Sequence, residues 1–135
     1  KVYNDYEKTK DYDALLDKEK AKVEEKLEKK KERIDAIQKR LNVVNEKQKE
    51  KEREKMEKEV REFREIERKA FADIKKDRDE KMKEIFDDVQ KVVSNYARKK
   101  GYDLVLDQPA ILYGDKAMDI TSEILKAVNK KYRGK

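Results

Sequence analysis

Cysteine and histidine are absent from this sequence, proline occurs once and glycine three times. Without cysteine there is no disulfide staple and no thiol nucleophile. Without histidine the commonest general base and the commonest metal ligand are both missing. Every glycine and the proline lie beyond Lys100, so the first hundred residues hold no strong helix breaker. No apolar run approaches the ~20 residues of a membrane-spanning helix, and no segment reads as a signal peptide.

What is present is charge. Charged residues make up 52% of the chain and hydrophobic ones 36%. Such a sequence cannot fill a conventional globular core; it is either disordered or built from helices that share a narrow apolar seam. The periodic spacing below selects helices. The net charge is +6, with basic and acidic residues finely mixed. A basic excess suits anionic lipid or nucleic acid, and serves equally as plain solubility charge. Acidic residues interspersed throughout blunt any phosphate track, so no specific nucleic-acid binding is expected.

Leu16, Val23, Ile37 and Val44 form a seven-residue series broken by Lys30, and Leu27, Ile34 and Leu41 form a second series four residues on. This alternating spacing is a coiled-coil seam, too narrow to stand without a partner. Met56, Val60, Phe63, Ala70 and Ile74 repeat the device, widened by Ile66 and Phe71. A broader apolar run follows in Met82, Ile85, Phe86, Val89, Val92, Val93 and Tyr96. From Asn45 to Lys55 no apolar residue occurs, which places the tip of a helical hairpin at about 45–55. The competing picture is one unbroken helix. Pairs such as Glu25–Lys29 and Glu54–Lys58, four residues apart, support helices that bury little.

Beyond Lys100 the pattern changes. Gly101 is placed to end the second rod. Asp103 to Asp107 reads as a short strand, Gln108-Pro109 as a turn, and Ala110 to Tyr113 as a second strand. Asp119 suits the N-cap of a last helix from about Ile120 to Lys131, with Ile120, Ile124, Leu125 and Val128 on its buried face. Two short strands cannot stand alone, so this segment asks for strands from elsewhere, and hence for oligomerisation. The expected fold is α+β, mostly α: a long coiled-coil hairpin arm over 3–100, attached to a small association body of two short strands and a helix over 101–135, joined by residues 1–10.

No catalytic constellation emerges. Thr9, Ser94, Thr121 and Ser122 are the only hydroxyls outside tyrosine and none sits in a nucleophile motif. No glycine-rich phosphate loop exists, and the acidic pair Asp87-Asp88 reads as a solvated helix face. The chain is expected not to be an enzyme, with no metal and no cofactor. Val43, Met56, Phe63, Ile66 and Phe71 are candidate binding contacts, because exposed methionine and aromatic groups on mobile arms make adaptable contacts. The alternative for each is that it simply holds the hairpin together.

The run Gly101-Tyr102-Asp103-Leu104-Val105-Leu106-Asp107, then Ile111-Leu112-Tyr113, then Asp119 to Leu125, resembles the OmpH/Skp family of periplasmic chaperones. The opening Val2 to Lys10 resembles that family's segment just after its first strand, and here the sequence begins at Lys1. The resemblance implies a periplasmic homotrimer in which a small β-rich body joins three subunits. Three hairpins then surround a cavity that holds unfolded outer-membrane proteins without ATP, and basic arms attract acidic clients and anionic membrane surfaces. On that reading Leu104, Val105, Leu106, Ile111, Leu112, Tyr113, Ile120 and Ile124 serve oligomerisation. The competing classes are a structural coiled-coil stalk, of the peripheral-stalk kind in rotary ATPases, and a nucleic-acid-binding coiled-coil protein.

Overall fold

The computed structural model describes residues 1–134, and Lys135 lies outside the described residues. Four α-helices follow one another: α1 (Val2–Asp5), α2 (Glu7–Leu41), α3 (Glu46–Lys100) and α4 (Thr121–Arg133). Short 3-10 turns at Gln108–Ala110 and Lys116–Met118 punctuate the connection from α3 to α4. The chain divides into two compact units. A terminal unit combines Lys1–Leu15 with Arg78–Lys135, and a hairpin unit spans Leu16–Asp77.

The hairpin unit turns without glycine or proline. Residues 42–45 break the helix, with Val43 and Val44 both donating backbone N–H to the Arg40 carbonyl. Asn45 starts α3. Its carbonyl accepts from Gln48 and Lys49, and its side-chain Oδ1 accepts the Gln48 N–H at 3.1 Å. This is N-capping, in which a short polar side chain satisfies a helix-terminal donor. The break falls where the apolar seam ends, and residues 46–55, expected at the tip, are helical. Apolar burial in this unit is sparse: Leu16, Ile37 and Ile74 are buried, and the other seam residues are half-covered.

The terminal unit has the denser core. Tyr6, Ile85, Val89, Val92, Ile124 and Val128 pack together, and Val128 is 1% exposed. Each such aliphatic side chain contributes about 1.5–3 kcal/mol of burial. A helical turn of α4 brings Ile120, Ile124 and Val128 to one side, as the spacing of four predicts. Tyr6 is the kink between α1 and α2 (φ −61°, ψ 127°), and its buried ring meets Tyr132 edge-on. Gly101 ends α3 at φ +73°. There Tyr102 N–H bonds the Ala97 carbonyl and Gly101 N–H the Arg98 carbonyl, the paired bonds of a Schellman cap.

The two strands expected at 103–107 and 110–113 are not formed: no strand occurs among the described residues. Ile111 keeps an extended conformation (φ −105°, ψ 117°). A strand, however, is defined by its ladder, and the chain brings no second edge to this segment. Asp119, expected as the N-cap of the last helix, is not: Ile120 holds that position with no side-chain cap bond, and Asp119 stands one residue outside, its Oδ1 accepting from the Thr121 N–H at 2.9 Å and hydroxyl at 2.5 Å. These two bonds hold its carboxyl below the usual range.

Candidate functional site: carboxylate clamps and an unpartnered apolar segment

In the terminal unit, Lys8 is 5% exposed, an unusual place for an ammonium group. Its Nζ lies 2.7 Å from Glu84 Oε1 and 2.7 Å from Asp88 Oδ2. Asp88 Oδ2 also accepts from the Tyr6 hydroxyl at 3.0 Å, and Glu84 Oε2 from the Tyr12 hydroxyl at 2.9 Å. Glu84 and Asp88 lie four apart on α3, so both face α2. Burial alone would lower the Lys8 pKa, but the hydrogen bonds to Asp88 and Glu84 outweigh it and hold the amine above its ordinary value. The same contact, with Tyr12, holds Glu84 low. Burial and the bond to Asp88 push the Tyr6 phenol up. The reading of Asp87-Asp88 as a solvated face therefore fails at Asp88, because its partner cation arrives from a helix 80 residues earlier in the chain.

Helix α4 closes over the first turn of α2. Asn129 Oδ1 accepts the Glu7 N–H at 3.0 Å, the Tyr132 hydroxyl donates to Asp11 at 2.7 Å, and the Arg133 guanidinium forks onto both Glu7 oxygens. The guanidinium holds the Glu7 carboxyl below its usual range.

In the hairpin unit, Lys30 repeats the clamp. Its Nζ lies 2.7 Å from Glu59 Oε2 and 2.5 Å from Glu62 Oε2. The residue that broke the seven-residue series is thus a seam cation, paired from the opposite helix. A lysine at a position normally given to Val or Leu was the signal in the sequence; its partners were not.

The segment 101–119 is exposed at every residue. It carries Tyr102, Leu104, Val105, Leu106, Ile111, Leu112, Tyr113 and Met118, with Leu112 fully exposed and Tyr113 91% exposed. Of the residues expected at oligomer contacts, Leu104 to Leu106 and Ile111 to Tyr113 lie on this open segment. Ile124 lies in the buried core of the terminal unit, and Ile120 is partly buried against it. Of the candidate client contacts, Val43 sits in the turn at 81% exposure and Phe71 is exposed on α3, while Met56, Phe63 and Ile66 are half-covered. Ile66 and Phe71 diverge by about 140° around the helix, so these residues do not form one patch. Met82 and Phe86, part of the broad apolar run read from sequence, are also exposed, and Phe86 stacks on Tyr3.

Among the described residues no group of three or more side chains could hold a metal ion, and no helix is long and apolar enough to cross a membrane. Paired charged helices with an exposed apolar segment define a class: a mostly helical protein built on a long hairpin. Residues 1–128 match the OmpH family model, described as outer membrane protein (OmpH-like), and the chain belongs to that family. The family is one of chaperones rather than enzymes, which gives this chain a chaperone's role. An uncharacterized protein of Aquifex aeolicus (strain VF5) is 36% identical over 117 residues, covering 85% of this chain and 72% of that one. The chaperone protein Skp of Yersinia enterocolitica is 41% identical over 49 residues, 36% of this chain and 30% of that protein. A crystal structure of a putative outer membrane chaperone (OmpH-like) from Caulobacter crescentus CB15 superposes with a TM-score of 0.87 at 14% identity. It covers 96% of this chain and 79% of that one, and at this identity the likeness concerns the fold.

Proposed function

We propose that this protein is an ATP-independent holdase that binds unfolded outer-membrane proteins in the periplasm and keeps them from aggregating. The observation that carries the reading is the open segment 101–119 in a member of a chaperone family. A contiguous stretch of exposed large apolar residues marks a protein-binding surface. Its unladdered backbone, extended at Asp107 and Ile111 on either side of a 3-10 turn, suits strand pairing with further copies of the chain, and three copies follow the family pattern. Residues 1–10 and 101–134 then make the association body, and the hairpin makes the arm.

Client capture rests on many weak contacts that sum. Val43, Met56, Phe63, Ile66 and Phe71 offer apolar surface amid charge, and the arms' basic excess favours acidic clients and anionic membrane surfaces. Burying a few hundred Å² per contact at ~25 cal/mol per Å² gives several kcal/mol before ordering costs. The test is light scattering from an unfolded outer-membrane β-barrel diluted out of urea. The protein should suppress scattering without nucleotide, and the triple variant F63S/I66S/F71S should suppress it less while remaining helical. Undiminished aggregation in the presence of the unaltered protein would refute the holdase reading.

A further inference from the structure

Two helices paired through a heptad seam share a weakness: a slip of seven residues brings like against like. In the hairpin unit the apolar series on α2 and on α3 both repeat at sevens, and only Leu16, Ile37 and Ile74 are fully buried. The turn at 42–45 contains no glycine or proline to pin its place. Apolar burial therefore discriminates poorly between registers, and something else must choose one.

We propose that Lys30 is the register-setting residue of this hairpin. It lies opposite Glu62 and Glu59, with its side chain only 12% exposed. Nearer the turn, Arg40 approaches Glu52 at 4.0 Å. Arg40 follows Lys30 by ten residues and Glu52 precedes Glu62 by ten, so the two cations report one antiparallel alignment. Shifting α3 by a heptad in one direction sets Lys69 and Ile66 against Lys30, in place of both carboxylates. Shifting it the other way sets Lys55 and Glu52 there, and Arg40 then meets Asn45 in place of an acid. Either slip strips Lys30 of at least one carboxylate and brings up a lysine at a site with little water. A half-buried ammonium loses far more from such an exchange than an apolar seam residue gains. A single buried lysine or asparagine in a coiled-coil seam fixes register in this manner, at some cost in stability. The terminal unit holds a cation of the same kind in Lys8, between Glu84 and Asp88.

The absence of cysteine makes the test direct. Spin labels on E28C and R64C, both exposed and both within the hairpin unit, report the alignment as a distance. In the otherwise unaltered chain they should give one distance. In K30L the helical signal should persist, with melting somewhat lower, since removing one partner leaves Glu59 and Glu62 against an apolar side chain in place of the ammonium. The distance distribution should then split, the new population displaced along the axis by ~10 Å, a heptad's rise. The charge-swapped chain K30E/E59K/E62K should return to one distance. A single unchanged distance in K30L overturns the proposal, as does loss of helicity in K30L, which would make the clamp a requirement for folding rather than for register. Two distances in the swapped chain overturn it as well.

Discussion

Asn129, near the end of α4, accepts the backbone N–H of Glu7, at the start of α2 and 122 residues earlier, at 3.0 Å. A helix's first N–H groups have no partner within the helix, and here the cap arrives from the far end of the sequence. Asn129→Ala should lower unfolding free energy by about 1 kcal/mol, the usual worth of a cap. Asn129→Asp should recover most of it, because a carboxylate also accepts and suits the positive helix start. Urea titration of both variants checks this, and an unaltered midpoint for Asn129→Ala would show the bond to be dispensable.

Lys8→Met removes the ammonium that bonds Glu84 and Asp88 and leaves both carboxylates in place. Breaking a fully buried pair costs ~3–5 kcal/mol; with Glu84 half open to water the expected loss is about 2 kcal/mol. Glu84→Gln with Asp88→Asn in the same chain should restore part of it, read as a double-mutant cycle in thermal melts.

The clamps also fix the pH response. Glu84, Glu7 and Glu62 titrate below their ordinary values, each chiefly because a cation hydrogen-bonds the carboxylate. Their folded forms bind protons less readily than the unfolded chain. The stability they contribute is therefore complete above about pH 5 and lost as the pH falls through ~4 and below. Lys8 is shifted the other way, so its contribution holds below ~10 and fades only as the pH rises through its elevated folded value. Melting temperature should be level from about pH 6 to 9 and fall on the acid side. E84Q should soften that fall.

Much of this was legible in advance, and the misses have physical causes. The seam residues Leu16, Ile37 and Ile74 are buried as their spacing implied. Gly101 and the buried face of α4 were equally readable, because each depends on neighbours a few residues away. The strands at 103–107 and 110–113 were not reliable from one chain, since a ladder needs an edge that no local pattern supplies. Lys30 and Asp88 were read as a flaw in the seam and as solvent-facing charge. Their partners lie 32 and 80 residues distant, and periodicity within one helix carries no information about which charges meet across two.

The open segment separates two kinds of apolar substitution. Val128→Ala, in the core, should cost about 2 kcal/mol by leaving a cavity. Leu112→Ser, on a fully exposed side chain, should leave the chain's helicity unchanged and its stability within ~0.5 kcal/mol. If the segment pairs copies of the chain, the same Leu112→Ser change should lower the mass measured by light scattering behind a sizing column. An unchanged mass would place the association surface elsewhere.

Gly101→Ala isolates a backbone effect. An added methyl at Gly101 meets no atom within 4 Å, so the expected cost of about 1 kcal/mol comes wholly from holding alanine at φ +73°.

The division of the chain has a consequence for the order of events at its birth. Residues 16–77 complete one unit from a single continuous stretch, whereas the other draws on 1–15 and 78–135 together. From a ribosome or from an export channel alike, a chain that emerges amino end first has released everything the hairpin needs well before α4. Until that last helix emerges, the first turn of α2 lacks its cap and Tyr6 lacks its cover. Contacts that span nearly the whole sequence close slowly, so the nascent polypeptide acquires its paired helices early and its apolar anchor last.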